Sequence, residues 1–174
     1  MKITTKQITF AGILAAAYAS LTYLSGLFGL AYGPVQFRIS EALAVLCCFT
    51  PWAIPGMVIG CVAANLLSTV SAWDMIIGTA ATLIACVLTW RMGRAMQKKP
   101  WIAWLAPLPT ILCNALIVGA EIAIFFDDRA FLPAWGMNAL SVGAGEAAVL
   151  YVLGMPLLLW LRSNRRMRSE LERL

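Results

Sequence analysis

The stretch that decides the fold runs from Met137 to Leu161, MNALSVGAGEAAVLYVLGMPLLLWL, and Glu146 is its one charged residue. A helix needs about 20 predominantly apolar residues to cross the hydrocarbon core of a bilayer, so this stretch predicts a membrane-spanning helix. An ionisable group at mid-bilayer depth costs about 2.5–3.5 kcal/mol on insertion scales. We therefore expect Glu146 to face the interior of a helix bundle and to bind something there.

The composition of the whole chain agrees with this interpretation. Of its 174 residues, 61% are hydrophobic and 12% are charged, a balance that excludes an ordinary soluble domain. The chain has no histidine, the commonest acid–base group and metal ligand, and its five cysteines lack CxxC spacing. We expect an integral membrane protein with no metal, no cofactor, no nucleic-acid partner and no enzyme activity.

Apolar stretches along the chain predict a single all-α, polytopic transmembrane domain of six helices. Their approximate ranges are 8–31, 37–49, 52–67, 75–92, 102–126 and 137–161. Pro51 and Pro55 separate the second helix from the third, because proline lacks the amide that would continue a helix. The connections of interest are an external gating loop at 32–37, a basic loop at 91–99 and a basic tail at 162–174.

The positive charges predict the topology. If the amino terminus is cytoplasmic, the basic loop is reached after four crossings and the basic tail after six, so eleven of the thirteen Lys and Arg residues lie inside. Arg38 and Arg129 are the two that lie outside. Both termini are therefore predicted to be cytoplasmic.

Glu41 and Glu121 are two further acids in apolar stretches. At 1.5 Å per residue, Glu121 is expected about 8–9 Å below the outer end of its helix and Glu146 about 12–14 Å below the outer end of its own. Glu41 lies one turn after Arg38, near the outer end of the second helix. The three carboxylates are expected to converge in the outer half of the bundle, as one site or as three separate polar contacts.

The segment 32–43, YGPVQFRISEAL, joins the first two helices on the outside. Its Gly-Pro pair predicts a turn, Arg38 and Glu41 are i and i+3 partners, and Tyr32 and Phe37 can cover a pocket from above. The segment is either a gating loop or an ordinary interfacial loop with an internal ion pair.

This segment and the motifs FTPWAIPG at 49–56 and IGCVAAN at 59–65 resemble the QueT family. Its members are substrate-binding S components of energy-coupling factor (ECF) transporters, implicated in the salvage of queuosine precursors. The resemblance implies a multi-pass protein of a prokaryotic plasma membrane that binds a 7-deazaguanine, such as its aminomethyl derivative or queuine. It also implies docking on a transmembrane coupling subunit and two ABC-type ATPases. The chain has no Gly-Lys dipeptide, hence no phosphate loop of its own.

The carboxylates suit the implied ligand. An ionised carboxylate only accepts hydrogen bonds and has two oxygens, so one Glu can receive both N–H donors of a guanine-type edge while a second pairs with the aminomethyl cation. Glu146 and Glu121, which follow glycines, are the first choices for the base, whereas Arg38 could hold Glu41 instead. The further substrate-binding candidates are one amide and three aromatic side chains: Asn138, Phe37, Tyr32 and Trp135.

Small residues recur on the first helix at Ala11, Ala15 and Ala19. Small side chains let two helices in a membrane approach closely. The resemblance favours docking of the partner module on this stripe, and the alternative is packing inside the bundle.

Two other functions stay open at this point. One is an S component for a different vitamin or purine-like base. The other is an autonomous ion-coupled carrier that uses the three glutamates as proton or sodium sites, for which internal inverted repeats would be expected.

Overall fold

The computed structural model describes residues 3–30, 36–66 and 72–174, and these residues form seven helices and no strand. The helices are α1 (Thr5–Leu27), α2 (Ile39–Cys48), α3 (Ala53–Leu66), α4 (Ala72–Lys98), α5 (Pro100–Phe125), α6 (Phe131–Ser163) and α7 (Arg165–Glu172). The predicted all-α fold is confirmed for this part of the chain. Tyr32 and most of the predicted gating loop lie outside the described residues.

Four of these helices, α1, α4, α5 and α6, are long and apolar enough to cross a membrane. The shorter helices α2 and α3 are also apolar. The six apolar helices correspond in order to the six that were predicted, and the number of crossings and the side on which the termini lie stay predictions. Gln7 on α1 donates a hydrogen bond to the carbonyl oxygen of Leu174, so these two residues lie at the same end of the bundle.

Several helix limits differ from the prediction. Helix α1 begins at Thr5 because Thr4 and Gln7 form a capping box. Helix α4 runs on to Lys98, so most of the predicted basic loop is helical. Lys, Arg, Met and Gln are good helix formers, and α4 itself contains no proline. The basic tail likewise forms α7, whose first turn is capped by the side chain of Asn164.

Helix α2 is a 3₁₀ helix over its ten residues, which the sequence did not indicate. Such a helix rises about 2.0 Å per residue instead of 1.5 Å, so ten residues cover about 20 Å rather than about 15 Å. Glu41 lies in its first turn, and Cys48 at its other end belongs to an apolar cluster that also contains Leu171 of α7. This short helix therefore connects the polar interior to the basic end of the bundle.

Helices α1 and α3 pack backbone to backbone. A Cβ atom on Gly60 would lie 2.8 Å from the carbonyl oxygen of Ala15, and one on Gly56 would lie 2.9 Å from that of Ala11. Ala11 and Ala15 are buried and Ala19 is half-buried. The first two members of the alanine stripe thus pack inside the bundle, as the alternative interpretation held, and docking on this stripe stays a prediction.

Candidate functional site

Glu146 of α6 is held by Asn114 of α5. Between Asn114 and Val118 helix α5 widens into a π-helical turn, a local departure that is frequent at functional sites. The Asn114 Nδ2 atom donates to Glu146 Oε1 over 3.0 Å. Glu146 is 1% exposed, and its second oxygen, Oε2, has no hydrogen-bond partner among the described residues. One acceptor of Glu146 is therefore in use and one is open.

Glu121 lies on α5, directly after the π-helical turn and Gly119. The residue is 3% exposed, and neither of its carboxylate oxygens has a hydrogen-bond partner among the described residues. Buried polar groups are nearly always hydrogen-bonded in folded proteins, so each exception needs an explanation. Glu121 is the strongest exception in this structure, with two open acceptors on one side chain.

Glu41 of α2 accepts a hydrogen bond from the hydroxyl of Tyr18 on α1, and both side chains are almost completely buried. One turn further along α1, the Thr22 and Ser40 hydroxyl oxygens lie 2.6 Å apart. Tyr18 carries no signal in the sequence, because an aromatic residue inside an apolar stretch is more often part of the core. These contacts tie the first turn of α2 to α1.

Arg38 forms its salt bridge with Asp74 of α4, with Nη2 and Oδ2 3.3 Å apart and both side chains 5% exposed. The sequence left open whether Arg38 holds Glu41 or Glu41 contacts a ligand. In the structure Glu41 accepts from Tyr18, and the salt bridge of Arg38 runs to a carboxylate on a helix distant in sequence. Asp74 was missed because it stands in a short polar connection before the predicted fourth helix. The sequence signal that could have found Asp74 is an acid directly before an apolar stretch.

The three glutamates and Arg38 belong to one electrostatic group. Arg38 lies close enough to interact with Glu41, Glu121 and Glu146, and Glu41 interacts with Glu146. Asp74 interacts with Glu121 in the same way. Side chains from α2, α4, α5 and α6 thus lie within electrostatic reach of Arg38. Their role in binding a substrate stays a prediction.

The chain that enters α2 lies directly on α6. A Cβ atom on Gly145 would collide with the backbone carbonyl of Gln36, and one on Gly119 would lie 2.8 Å from the backbone of Ala139. These two glycines allow close contact between parts of the chain. Gln36 is buried and Phe37 half-buried, so the described end of the predicted gating loop packs against α6 at Gly145.

Asn138 and Trp135, two of the predicted binding residues, make contacts elsewhere. Asn138 Nδ2 donates to Asp127 Oδ2 over 2.9 Å, at the loop between α5 and α6. Trp135 Nε1 donates to the carbonyl oxygen of Leu116 over 3.1 Å, and its ring stacks on Phe131 with centroids 6.1 Å apart. These contacts engage Asn138 Nδ2 and the indole N–H of Trp135 with groups other than the buried glutamates.

Asp127 and Arg129 form an ion pair in the same loop, with 2.5 Å between Oδ2 and Nη2. Hydrogen bonds from Arg129 and Asn138 lower the pKa of the Asp127 carboxyl well below its ordinary value. Arg129 is exposed, whereas the Asp127 side chain is only 10% exposed.

The polar side chains of the buried group determine which ligands it can bind. Four buried carboxyl groups, Glu41, Glu121, Glu146 and Asp74, lie within electrostatic reach of the Arg38 guanidinium, and three of their oxygens have no hydrogen-bond partner among the described residues. No cluster of three or more potential metal ligands occurs among the described residues. The group is suited to bind a molecule with several N–H donors and a positive charge.

One protein family and one named relative match this chain. The model of the family described as QueT transporter matches residues 8–163. The chain is also 40% identical over 84 residues to a protein named "Queuosine precursor transporter QueT" from Lactococcus lactis subsp. cremoris (strain MG1363). That alignment covers 48% of this chain and 48% of the relative, about half the length of each. No solved structure matches the chain.

Proposed function

The chain belongs to the QueT transporter family, and we propose that it is a plasma-membrane subunit that binds a queuosine precursor and carries it into the cell. The observation that carries this proposal is the open acceptors of Glu121 and Glu146, buried inside a membrane protein. A buried acceptor without a partner costs about 1–3 kcal/mol, and more if it is charged. A ligand that supplies donors to these oxygens removes that cost.

The hydrogen bonds around the two glutamates suggest a division of roles. Glu121 has both oxygens open and can receive two parallel N–H donors, as the guanine-type edge of a 7-deazaguanine offers. Glu146 has one oxygen engaged by Asn114 and one open. We assign the base edge to Glu121 and the aminomethyl cation to the open oxygen of Glu146.

The charge of the site favours a cationic ligand. Among the described residues, Arg38 is the one buried cation beside four buried carboxyl groups, and it forms a salt bridge with Asp74. A ligand with an ammonium group reduces the excess of negative charge, which matters most where water is excluded. The preferred precursors are therefore amines, such as 7-aminomethyl-7-deazaguanine or queuine, ahead of a neutral analogue with a nitrile at the same position.

The energy for import is proposed to come from a separate ECF module, a coupling subunit with two ABC-type ATPases. This part of the proposal rests on the resemblance described above. Since Ala11 and Ala15 face α3, the small residues of α1 that remain exposed to a partner are Gly12, Ala16 and Ser20. We propose that the coupling subunit packs against this exposed side.

The binding proposal is tested by titrating the purified protein in detergent with 7-aminomethyl-7-deazaguanine, its 7-cyano analogue, guanine and a panel of vitamins, using calorimetry. The amine should bind at submicromolar concentration and more tightly than the neutral analogue. Failure of every deazaguanine to bind would overturn the substrate assignment, and tight binding of a vitamin would identify a different S component.

The energy source is tested separately in proteoliposomes. Uptake of radiolabelled precursor is expected only when the coupling subunit and ATPases are present with ATP. Uptake by the chain alone, driven by a proton or sodium gradient, would establish the ion-coupled carrier instead, because the open carboxylates could also serve as cation sites.

A further inference from the structure

We propose that the basic end of the bundle carries a site for an anionic phospholipid with a hydroxylated head group, such as phosphatidylglycerol. This end is formed where α2 stops, α4 and α6 end, α5 begins, and α7 crosses beneath them. The proposal does not depend on the identity of the transported substrate.

A cavity of about 140 Å³ opens at this end. Phe49 and Met96, both buried, contribute apolar surface, while Arg162, Arg168, Gln97 and Glu172 contribute polar groups. The cavity is large enough to admit a phosphate group.

The two arginines that line the cavity retain free donors. Arg162 Nη1 donates to the carbonyl oxygen of Pro100 over 3.3 Å, and Arg168 Nε donates to Glu172 Oε1 over 2.8 Å. A guanidinium has five N–H donors, so each arginine keeps several for another acceptor. Paired arginine donors are the usual partners of a phosphate. The remaining oxygen of Glu172 and the amide of Gln97 can accept from hydroxyl groups next to that phosphate.

The surroundings add a positive field. Seven exposed cations lie on the same loop and helix ends: Lys6, Arg91, Arg94, Lys98, Lys99, Arg165 and Arg166. The only acids there in the described part of the chain, Glu170 and Glu172, are paired with Arg173 and Arg168. Each Lys or Arg near an anionic membrane surface contributes about 1 kcal/mol of attraction.

Three exposed tryptophans mark the depth of the cavity. Trp101 is 61% exposed, Trp104 is 58% exposed and Trp160 is 52% exposed, and they flank Pro100 and Arg162 in the sequence. Tryptophan is enriched where a membrane protein passes from hydrocarbon to water, so the cavity lies at the level of the lipid head groups. This placement favours a lipid of the same bilayer over a soluble anion or an acidic protein.

The test is native mass spectrometry of the full-length protein, released from detergent micelles to which phosphatidylglycerol, phosphatidylserine or phosphatidylcholine has been added. We expect preferential retention of phosphatidylglycerol and about a fivefold loss of it in each of Arg162→Gln and Arg168→Gln. Arg165→Gln removes the same charge from the same helix region without lining the cavity and should retain the lipid. A fourth variant, Arg162→Lys, keeps the charge and should recover part of the binding. Thermal unfolding in detergent verifies that each variant is folded.

Three outcomes would overturn the proposal. Equal retention of phosphatidylcholine would remove the requirement for negative charge. Equal losses in Arg165→Gln and Arg162→Gln would show diffuse attraction rather than a site. Saturable binding of free glycerol 3-phosphate in lipid-free micelles, with the same sensitivity to Arg162→Gln, would make the ligand a soluble anion.

Discussion

Replacing Glu121 by glutamine should weaken ligand binding without weakening the fold. In the structure neither carboxylate oxygen of Glu121 has a partner among the described residues, so the substitution breaks no observed hydrogen bond. It also removes a group whose ionised form is costly to bury. The free energy of unfolding without ligand should therefore stay the same or rise. A residue with a purely structural role would give the opposite sign.

The effect on affinity follows from the same geometry. A hydrogen bond to a charged group contributes about 1.5–3 kcal/mol, and the proposed ligand makes two with Glu121. Glutamine keeps one neutral acceptor and turns the other atom into a donor that faces an N–H group. We expect a loss of about 2–4 kcal/mol, which is about 30- to 1,000-fold in Kd.

The assay combines calorimetric titration with 7-aminomethyl-7-deazaguanine and thermal unfolding of the ligand-free protein in the same detergent. Glu146→Gln should cost less affinity, since one of its oxygens is already engaged by Asn114. Glu170→Gln, an exposed change on α7, is the matched control and should alter neither quantity. A Kd for Glu121→Gln within twofold of the parent protein, or a clear fall in its thermal stability, would refute the assigned role.

Three further predictions concern docking, stability and pH. Ala16→Leu should reduce ATP-driven uptake and leave ligand binding intact, because Ala16 is exposed. Ala15→Leu should instead destabilise the protein, because its side chain would meet α3. Normal uptake by the Ala16→Leu variant would show that the coupling subunit docks elsewhere. Asp74→Asn should lower the free energy of unfolding by about 1–3 kcal/mol, measured by chemical denaturation, because it removes the charged acceptor of the buried hydrogen bond from Arg38 Nη2; an unchanged free energy of unfolding would contradict this. The pKa of Asp127 is lowered in the folded state. The stability contributed by its pair with Arg129 is therefore fully present above the ordinary carboxyl pKa of about 4 and is lost only as the pH falls below it. An Asp127→Asn variant should be less thermally stable than the parent at neutral pH, and this difference should disappear in strong acid.

Much of the fold was predictable because hydropathy is a local property of the chain. Apolar length alone located the long helices α1, α4, α5 and α6, and the prolines between α2 and α3 were visible as a break. The exact helix ends were less predictable. They depend on capping by Thr4 and Asn164. They also depend on the continuation of α4 through a basic segment whose charges alone indicated a loop.

The candidate site was only partly predictable. Glu41, Glu121 and Glu146 stood out because each is an acid in an apolar stretch, and all three are buried. Tyr18 and Asp74 carried no such signal, since a tyrosine in a membrane helix and an acid at a helix start are both ordinary. The π-helical turn that presents Asn114 to Glu146 also has no sequence pattern of its own.

The sequence by itself determined that this is a helical membrane protein with three acids in its interior, because transfer of each stretch into lipid depends on its own composition. It also carried the family resemblance. The tertiary structure decided which partner each acid has: Tyr18 for Glu41, Asn114 for Glu146, and none among the described residues for Glu121. Hydrogen bonds depend on distances of a few tenths of an ångström between helices far apart in the chain. Those distances are set by how the helices rotate and pack against one another, which no local pattern records.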